Sequence, residues 1–210
     1  MTVEDIRGIF IDKLENSEFN NQGLLEIHGA SFVATENTIF GKPNLDYIER
    51  ELNWYRSKSR YVSDLRNTPK IWNDIASVDG KINSNYGWCI YSKDNYTQYS
   101  KVLQHLRDNP NTRQAEMIYI RPTMHEDSVE NGMRDFMCTN AVIYSISNGK
   151  VNCVVQMRSN DAVYGYKNDY AWQKYVLDEL SRDLNLTSGE ITWQVANLHI
   201  YPRHFHLVSK

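Results

Sequence analysis

A predicted β-hairpin centred on Asn148-Gly149 is the feature that most constrains how this chain folds. Residues 139–146 and 151–157 are both apolar and rich in β-branched side chains, which is typical of strands. The Asn-Gly pair between them is the strongest two-residue signal for a hairpin turn. If these two residues form the whole loop, Ser147 pairs with Lys150, and the register of both strands is fixed.

The hairpin register predicts a reactive group at the open end of the hairpin. Cys138 lies opposite Ser159 and beside Arg158, so that a thiol, a hydroxyl and a guanidinium come together. A cation next to a thiol lowers the pKa of the thiol and favours the nucleophilic thiolate. A β-bulge in either strand would shift this register by one residue.

Length and composition limit the class of protein. A chain of 210 residues that is 41% hydrophobic and 12% aromatic has enough apolar side chains for one large core, so we expect a single domain spanning residues 1–210. The net charge of −3 argues against a nucleic-acid binder that works through a broad basic face. No apolar run is long enough to span a membrane, and the acidic N-terminus lacks a signal-peptide pattern.

The cysteines and histidines of the sequence do not form a metal-binding pattern. The three cysteines suit neither a zinc site nor a disulfide framework: Cys89, Cys138 and Cys153. This usage favours a reducing, cytoplasmic setting, which would be the host cytoplasm for a viral protein. His125, Glu126 and Asp127 are consecutive and cannot all face one ion, so we expect no metal.

Glu51 is the unusual member of a helix predicted over residues 45–57, which Asn44 can cap. Tyr47 precedes Glu51 by four residues and Trp54 follows it by three, so the acid lies at the edge of an aromatic helix face. Two interpretations stay open. Glu51 is either a surface carboxylate or a partly buried acid whose pKa is raised by its apolar neighbours.

Three other segments carry polar side chains that suit a binding site. Asp169 falls in the first turn of a helix predicted over residues 168–184, where it would cap the helix or face its dipole. On the last predicted strand, His199 and Tyr201 share one face and form a credible pair of ligand donors. Residues 83–88 are too polar for a core and too aromatic for a linker, which suits a pocket wall or a structured loop.

Six motifs in the expected order resemble the thymidylate synthase superfamily, and most closely its phage deoxycytidylate hydroxymethylases. The resemblance runs from near Glu26 to the C-terminus, and its motifs are residues 48–55, 83–88, 135–140, 157–161, 165–173 and 198–201. It implies an α+β fold with a large, twisted, mostly antiparallel sheet, helices on one face and a second subunit on the other. It also implies 5,10-methylenetetrahydrofolate as co-substrate, without a metal.

The resemblance implies a role for each matching residue. Cys138 matches the nucleophile that adds to C6 of a pyrimidine, and Glu51 matches the acid that organises water and moves protons. Arg113 matches an arginine that reaches the phosphate bound by the neighbouring subunit, which implies a homodimer. Asp161 and Trp72 match residues at the folate. The other residues matched to the nucleotide are Arg158 and Ser159 at its phosphate, His199 and Tyr201 at its sugar, and Asn160 and Tyr86 in its pocket.

Asp169 is expected to select the base. Thymidylate synthases carry an asparagine here, whose amide can accept from uracil N3–H and donate to O4. A carboxylate instead accepts from the C4 amine of cytosine, stabilises N3 once N3 is protonated, and repels O4 of uracil. We therefore expect 5-hydroxymethylation of deoxycytidine monophosphate (dCMP). A methylase or hydroxymethylase of deoxyuridine monophosphate (dUMP) is the alternative enzyme.

The sequence departs from the superfamily pattern at four places. One is the absence of any arginine or lysine between Lys13 and Lys42, where the family has a phosphate-binding arginine. Thr139 follows the cysteine, as in the hydroxymethylases, whereas thymidylate synthases have a histidine there. Gln114 replaces the second of two adjacent arginines. The sequence ends at Lys210, just after the His199 strand, so we expect the tail that closes the site to be short or absent. These differences motivate a third interpretation, a weakly active nucleotide-binding homologue.

Overall fold

The computed structural model describes residues 1–208 and confirms the expected α+β fold. Five strands form one sheet: β1 (Leu25–Val33), β2 (Glu116–Ile118), β3 (Thr139–Ser147), β4 (Lys150–Asp161) and β5 (Thr187–Ile200). Their order is β1-β5-β4-β3-β2, and three of the four neighbouring pairs are antiparallel, while β4 and β5 are parallel. The α-helices of the described part are α1 (Val3–Glu15), α2 (Leu45–Ser57), α3 (Lys70–Ile75), α4 (Tyr86–Tyr91), α5 (Gln98–Asp108), α6 (Asp127–Glu130) and α7 (Gly165–Asp183).

The sheet buries one face beneath helices and leaves the other more open. Helix α7 packs on β4 and β5, and α1 packs on β1. Alternate side chains along β4 are fully buried: Val151, Cys153, Val155 and Met157. The intervening positions are partly or fully exposed, as the period-2 geometry of a strand requires. Within residues 1–208 no helix is long and apolar enough to cross a lipid bilayer.

The predicted hairpin is confirmed at its turn and corrected at its open end. Ser147 pairs with Lys150, and Asn148 and Gly149 both have positive φ angles, of 50° and 71°. A bulge at Asn140 then shifts the register by one residue. The bulge is explained by hydrogen bonds outside the β3–β4 pair. The Asn140 carbonyl accepts backbone N–H groups from the segment that follows β2.

The bulge changes which residue faces the cysteine. The backbone N–H of Arg158 donates to the carbonyl of Cys138 at 3.0 Å, so Cys138 lies opposite Arg158. The predicted pairing of Cys138 with Ser159 is therefore wrong by one residue. The predicted proximity of the thiol and the guanidinium is confirmed.

Helix α7 begins earlier than its sequence predicts. It starts at Gly165, so Asp169 lies in the second turn and does not cap the helix, contrary to expectation. The side chain that organises the start is Asp161, whose Oδ1 accepts the N–H groups of Val163 at 2.8 Å and Tyr164 at 3.3 Å. Asp169 is thereby free to point into the molecule.

Gly87 allows α4 to lie directly against α2. A Cβ atom at this position would be 1.8 Å from the carbonyl oxygen of Tyr55, which only a glycine avoids. The close approach places Tyr86, at the first position of α4, in stacking contact with Tyr55, with ring centroids 5.2 Å apart. The glycine therefore sets the position of a residue that the sequence predicts to contact substrate.

Replacing Gly87 should separate the two helices. We expect Gly87→Ala to lower the free energy of unfolding by at least about 3 kcal/mol, because backbone atoms must move to accept the methyl group. Gly8→Ala is the matched control: apart from its chain neighbours and its own helix backbone, nothing lies within 4 Å of where a Cβ atom would be. In a helix interior this substitution should stabilise by about 0.5–1 kcal/mol. Urea unfolding of both variants measures the difference, and equal effects would contradict this account of α2 and α4.

Candidate active site

Four segments bring the predicted catalytic side chains to one region. Cys138 immediately precedes β3, Arg158 lies in β4, Glu51 in α2 and Asp169 in α7. The charge of Asp169 raises the pKa of both Cys138 and Glu51, which places the three groups within electrostatic reach of one another. Residues separated by more than one hundred positions in sequence are thus assembled into one polar cluster inside an aromatic surround.

Cys138 is a protonated thiol at neutral pH in this structure. Burial raises its pKa to about 11, and the negative charge of Asp169 acts in the same direction. Arg158 opposes this shift, with its Nη2 atom 3.9 Å from Sγ. The predicted lowering of the Cys138 pKa by the guanidinium is thus present, but burial outweighs one neighbouring cation and the net shift is upward.

Cys138 is nevertheless the most accessible thiol within the described residues. It is partly exposed, whereas Cys89 and Cys153 are buried. Burial raises the pKa of each of those two thiols to about 12. The cysteine that the sequence predicts as nucleophile is thus the one that a ligand can reach.

Arg158 is hydrogen-bonded to the segment that leads to Cys138. Its Nε donates to the Met137 carbonyl at 3.0 Å, and its Nη2 donates to the carbonyl of Phe136. The guanidinium also lies over the Phe136 ring, 5.1 Å from the centroid. The side chain is exposed, and that of Ser159 next to it is partly exposed, so both remain available to an anion.

Asp169 accepts a hydrogen bond on each carboxylate oxygen. Tyr86 donates its hydroxyl to Oδ1 at 3.1 Å, and Asn160 donates its amide to Oδ2 at 2.8 Å. Thr139 donates to the Tyr86 oxygen at 3.2 Å, and the Trp193 indole donates to Asn160 Oδ1 at 3.2 Å. Burial raises the pKa of Asp169 to about 7, while the two donated hydrogen bonds favour the charged form.

Glu51 is a buried acid, with 4% of its surface exposed. Of the two interpretations of its sequence context, the buried one is confirmed. Burial and, to a smaller extent, the charge of Asp169 raise its pKa to about 7, against a hydrogen bond donated by Tyr47 at 2.7 Å. Trp72 donates its indole N–H to the Tyr47 hydroxyl at 2.9 Å. The predicted folate-pocket tryptophan is therefore linked to the predicted proton-transfer acid.

The predicted sugar-binding residues and Asp161, one of the two predicted folate-binding residues, lie side by side at the ends of β4 and β5. Asp161 pairs with His199 across these strands. The rings of His199 and Tyr201 are 5.0 Å apart and perpendicular, although Tyr201 follows the end of β5. Arg113 lies away from this cluster on an exposed segment, without a hydrogen bond or ion pair to any residue of the described part of the chain.

Residues 83–88 are mostly core, contrary to their predicted exclusion from it. Asn83 and Asn85 have no exposed surface, and Ser84 is buried. Asp135 accounts for this burial: its carboxylate accepts the N–H groups of Asn83 and Ser84, each at 2.7 Å, and the Ser84 hydroxyl at 2.6 Å. The buried carboxylate holds the segment that leads to Tyr86.

Sequence reasoning missed Thr139 and Tyr47 as members of the site. Thr139 was notable only as a departure from a family pattern, yet it is fully buried and contacts Tyr86. Tyr47 and Glu51 lie on one helix face because of their i, i+4 spacing, which also brings a phenol and a carboxylate within hydrogen-bonding distance.

Within residues 1–208 no group of three or more His, Cys, Asp or Glu side chains could hold a metal ion.

Comparison with known proteins identifies the family. The family model described as Thymidylate synthase matches residues 35–210, which is most of the chain. The chain belongs to the thymidylate synthase family. It is 53% identical to the deoxycytidylate 5-hydroxymethyltransferases of Enterobacteria phages T4 and T2, over all of this chain and 90% of each relative. It is 28% identical to the thymidylate synthase of Francisella tularensis subsp. holarctica, over 80% of this chain and 66% of that relative.

Burying Glu51 should lower the stability of this thymidylate synthase family member at alkaline pH. Because its folded-state pKa is raised to about 7, the folded protein holds a proton that the unfolded chain releases between pH 4 and 7, so stability falls as the pH rises through this window. We expect Glu51→Gln to raise the free energy of unfolding at pH 8 by on the order of 1–3 kcal/mol, with little change at pH 5.

Urea unfolding at both pH values measures this effect. Glu49→Gln, on the exposed side of the same helix, removes the same charge without burial and serves as the control. An equal change at pH 5 and pH 8 for Glu51→Gln would contradict the burial of an ionisable carboxyl at this position.

Proposed function

We propose that this chain transfers a one-carbon unit from methylenetetrahydrofolate to C5 of dCMP and adds water, forming 5-hydroxymethyl-dCMP. The observation that carries the proposal is the carboxylate of Asp169, which lies within electrostatic reach of Cys138 and is held by two hydrogen-bond donors. The phage relatives at 53% identity, named deoxycytidylate 5-hydroxymethyltransferase, support the same reaction.

Asp169 suits cytosine because of what its oxygens can accept. A carboxylate accepts from the C4 amine and, while it holds a negative charge, favours a proton on N3. Uracil would present O4 and N3–H in these places, and O4 would face a negative charge. A pKa near 7 lets the same group hold or release a proton during the reaction.

Cys138 would start the reaction as nucleophile. Its sulfur bonds to C6 of the ring, the C5–C6 electron pair moves toward C5, and C5 then bonds to the one-carbon unit. The thiol must lose its proton as it reacts, because its pKa of about 11 keeps it protonated at neutral pH. Arg158, 3.9 Å from the sulfur, stabilises the thiolate that forms and is available to the phosphate of the nucleotide.

Glu51 would take a proton from water in the second half of the reaction. Loss of the C5 proton and cleavage of the C–N bond to the folate, whose nitrogen keeps the electron pair, would leave a methylene group on C5. Water then bonds to this methylene carbon, the electron pair of its double bond returns to the ring, and the water proton passes to the carboxylate. The C6–S bond then breaks as the C5–C6 double bond is restored, which releases Cys138. Burial and a pKa near 7 suit Glu51 to exchange a proton at neutral pH.

The residues present fit a folate co-substrate, which supplies the one-carbon unit when bound. Asp161 uses one carboxylate oxygen, Oδ1, for backbone N–H groups, and its Oδ2 accepts no hydrogen bond from the described residues. A carboxylate oxygen suits the N–H donors of a pterin ring. Trp72 is partly buried and provides an aromatic wall next to Glu51, through Tyr47.

A homodimer is part of the proposal. The open face of the sheet carries partly or fully exposed, uncharged side chains, which suit a self-complementary interface: Ile143, Val154, Gln156 and Gln194. Arg113 is exposed and would reach the phosphate bound by the other subunit. Each site would then contain Cys138 from one chain and Arg113 from the other.

Exchanging the carboxylate for an amide tests the choice of base. The wild type should add one CH₂O unit to dCMP and none to dUMP, as measured by product mass. Asp169→Asn should lose most activity on dCMP and gain activity on dUMP, because the amide matches the donor and acceptor of uracil. Wild-type activity on dUMP alone would favour the alternative enzyme. Binding of dCMP without tritium release from [5-³H]dCMP would favour a weakly active nucleotide-binding homologue.

Mixing two inactive variants tests the shared site. Cys138→Ser and Arg113→Ala should each be severely impaired, and exchange of subunits should restore activity to about a quarter of the wild type, since half of the randomly formed dimers hold one intact site. The mixed sample is compared with the sum of the separate variants. Activity no greater than that sum, despite subunit exchange, would contradict a contribution of Arg113 across the interface.

A further inference from the structure

A directed hydrogen-bond chain ends at Glu51. The indole N–H of Trp72 donates to the hydroxyl oxygen of Tyr47 at 2.9 Å, and Tyr47 donates to Oε1 of Glu51 at 2.7 Å. The three residues come from two helices, α2 and α3, and Tyr47 and Glu51 are one helical turn apart. Each bond has the length of a well-formed hydrogen bond.

The direction of this chain is fixed by chemistry. An indole nitrogen can donate but cannot accept. The Tyr47 oxygen therefore accepts from Trp72, and its own hydrogen must point to Glu51. Burial and the neighbouring charge of Glu51 raise the pKa of Tyr47 well above its ordinary value, so the phenol keeps its hydrogen. Oε1 of Glu51 is consequently an acceptor, and a proton taken up by the carboxyl goes to Oε2.

We infer that Tyr47 is a positioning residue that makes Oε2 of Glu51 the oxygen that exchanges protons during the reaction. The inference rests on the proposed function, in which Glu51 takes a proton from water. Tyr47 touches neither substrate nor folate in this scheme. Its hydroxyl orients the carboxylate and holds it in the ionised form that can accept the proton.

The groups around Glu51 set how its protonation responds to the loss of Tyr47. Asp169 on α7 raises the pKa of Glu51, and Arg50 and Tyr55 on its own helix lower it, as Tyr47 does. Among these influences, the hydrogen bond from Tyr47 is the largest that opposes burial. Without this hydrogen bond, Glu51 should remain protonated up to a higher pH. A protonated carboxyl group cannot act as a base.

Tyr47→Phe tests the inference, because it removes the hydroxyl and keeps the ring. We expect kcat for hydroxymethyl-dCMP formation to fall about tenfold at pH 7, with the KM for dCMP changed less than about twofold. The acid limb of the pH profile of kcat should move upward by about one pH unit, since Glu51 needs a higher pH to ionise. Tyr99→Phe is the matched control. Tyr99 lies on α5, away from the site, and its hydroxyl donates to Asp183 at 2.8 Å.

A double variant separates positioning from a structural effect. In a Glu51→Gln background, which has little remaining activity, Tyr47→Phe should cause no further loss, because its effect passes through the carboxylate. An unshifted acid limb in Tyr47→Phe, or an additive loss in the double variant, would overturn the inference while the wild type still makes hydroxymethyl-dCMP. Absence of that product from the wild type would instead overturn the proposed function.

Discussion

Two carboxyl groups buried near one another are the constraint on which the rest of this structure depends. Glu51 and Asp169 each have a pKa raised to about 7, mainly by burial, and the charge of Asp169 contributes to the shift of Glu51. Ionising both in a low-dielectric interior is unfavourable unless donors surround them. Phenol and amide groups donate hydrogen bonds to the two carboxylates: Tyr47 donates to Glu51, and Tyr86 and Asn160 donate to Asp169.

Two tryptophans give two of these hydrogen bonds their direction. Trp72 donates to Tyr47, and Trp193 donates to the Asn160 oxygen, which turns the amide nitrogen of Asn160 toward Asp169. Since an indole only donates, neither chain can reverse. The aromatic surround thus does more than exclude water. It decides which atom of each neighbouring polar group faces a carboxylate, so the acids are oriented before any ligand arrives.

Local turn chemistry and reactive residue types could be predicted from the sequence, whereas geometry set by distant partners could not. The Asn148-Gly149 turn followed from the φ angles that these two residues tolerate. The bulge at Asn140 depends on hydrogen bonds to a segment about twenty residues earlier, and no local sequence pattern predicts it. Likewise the start of α7 at Gly165 has no side-chain cap at Tyr164, so the usual sequence signal for a helix start is absent.

The same limit applied to the pKa of Cys138, the proposed nucleophile. Proximity of Cys138 and Arg158 was readable from the hairpin, but the sign of the net shift required the depth of burial and the position of Asp169. Glu51 was ambiguous for a related reason, because i, i+4 spacing places a side chain on a helix face without telling whether that face is covered. Burial is a property of the whole fold, and here it governed the chemistry of the individual groups.

The high pKa of Cys138 has a consequence for the life of the protein between turnovers. Peroxides, disulfides and alkylating metabolites react with thiolates far faster than with thiols. A cysteine that remains a thiol at rest is therefore a poor target for these agents, although part of its surface is exposed. Its reactivity would be restricted to the complex in which a proton acceptor and the electrophilic ring are both present. The burial that raises the pKa of Cys138 should therefore also slow the oxidation of this thiol.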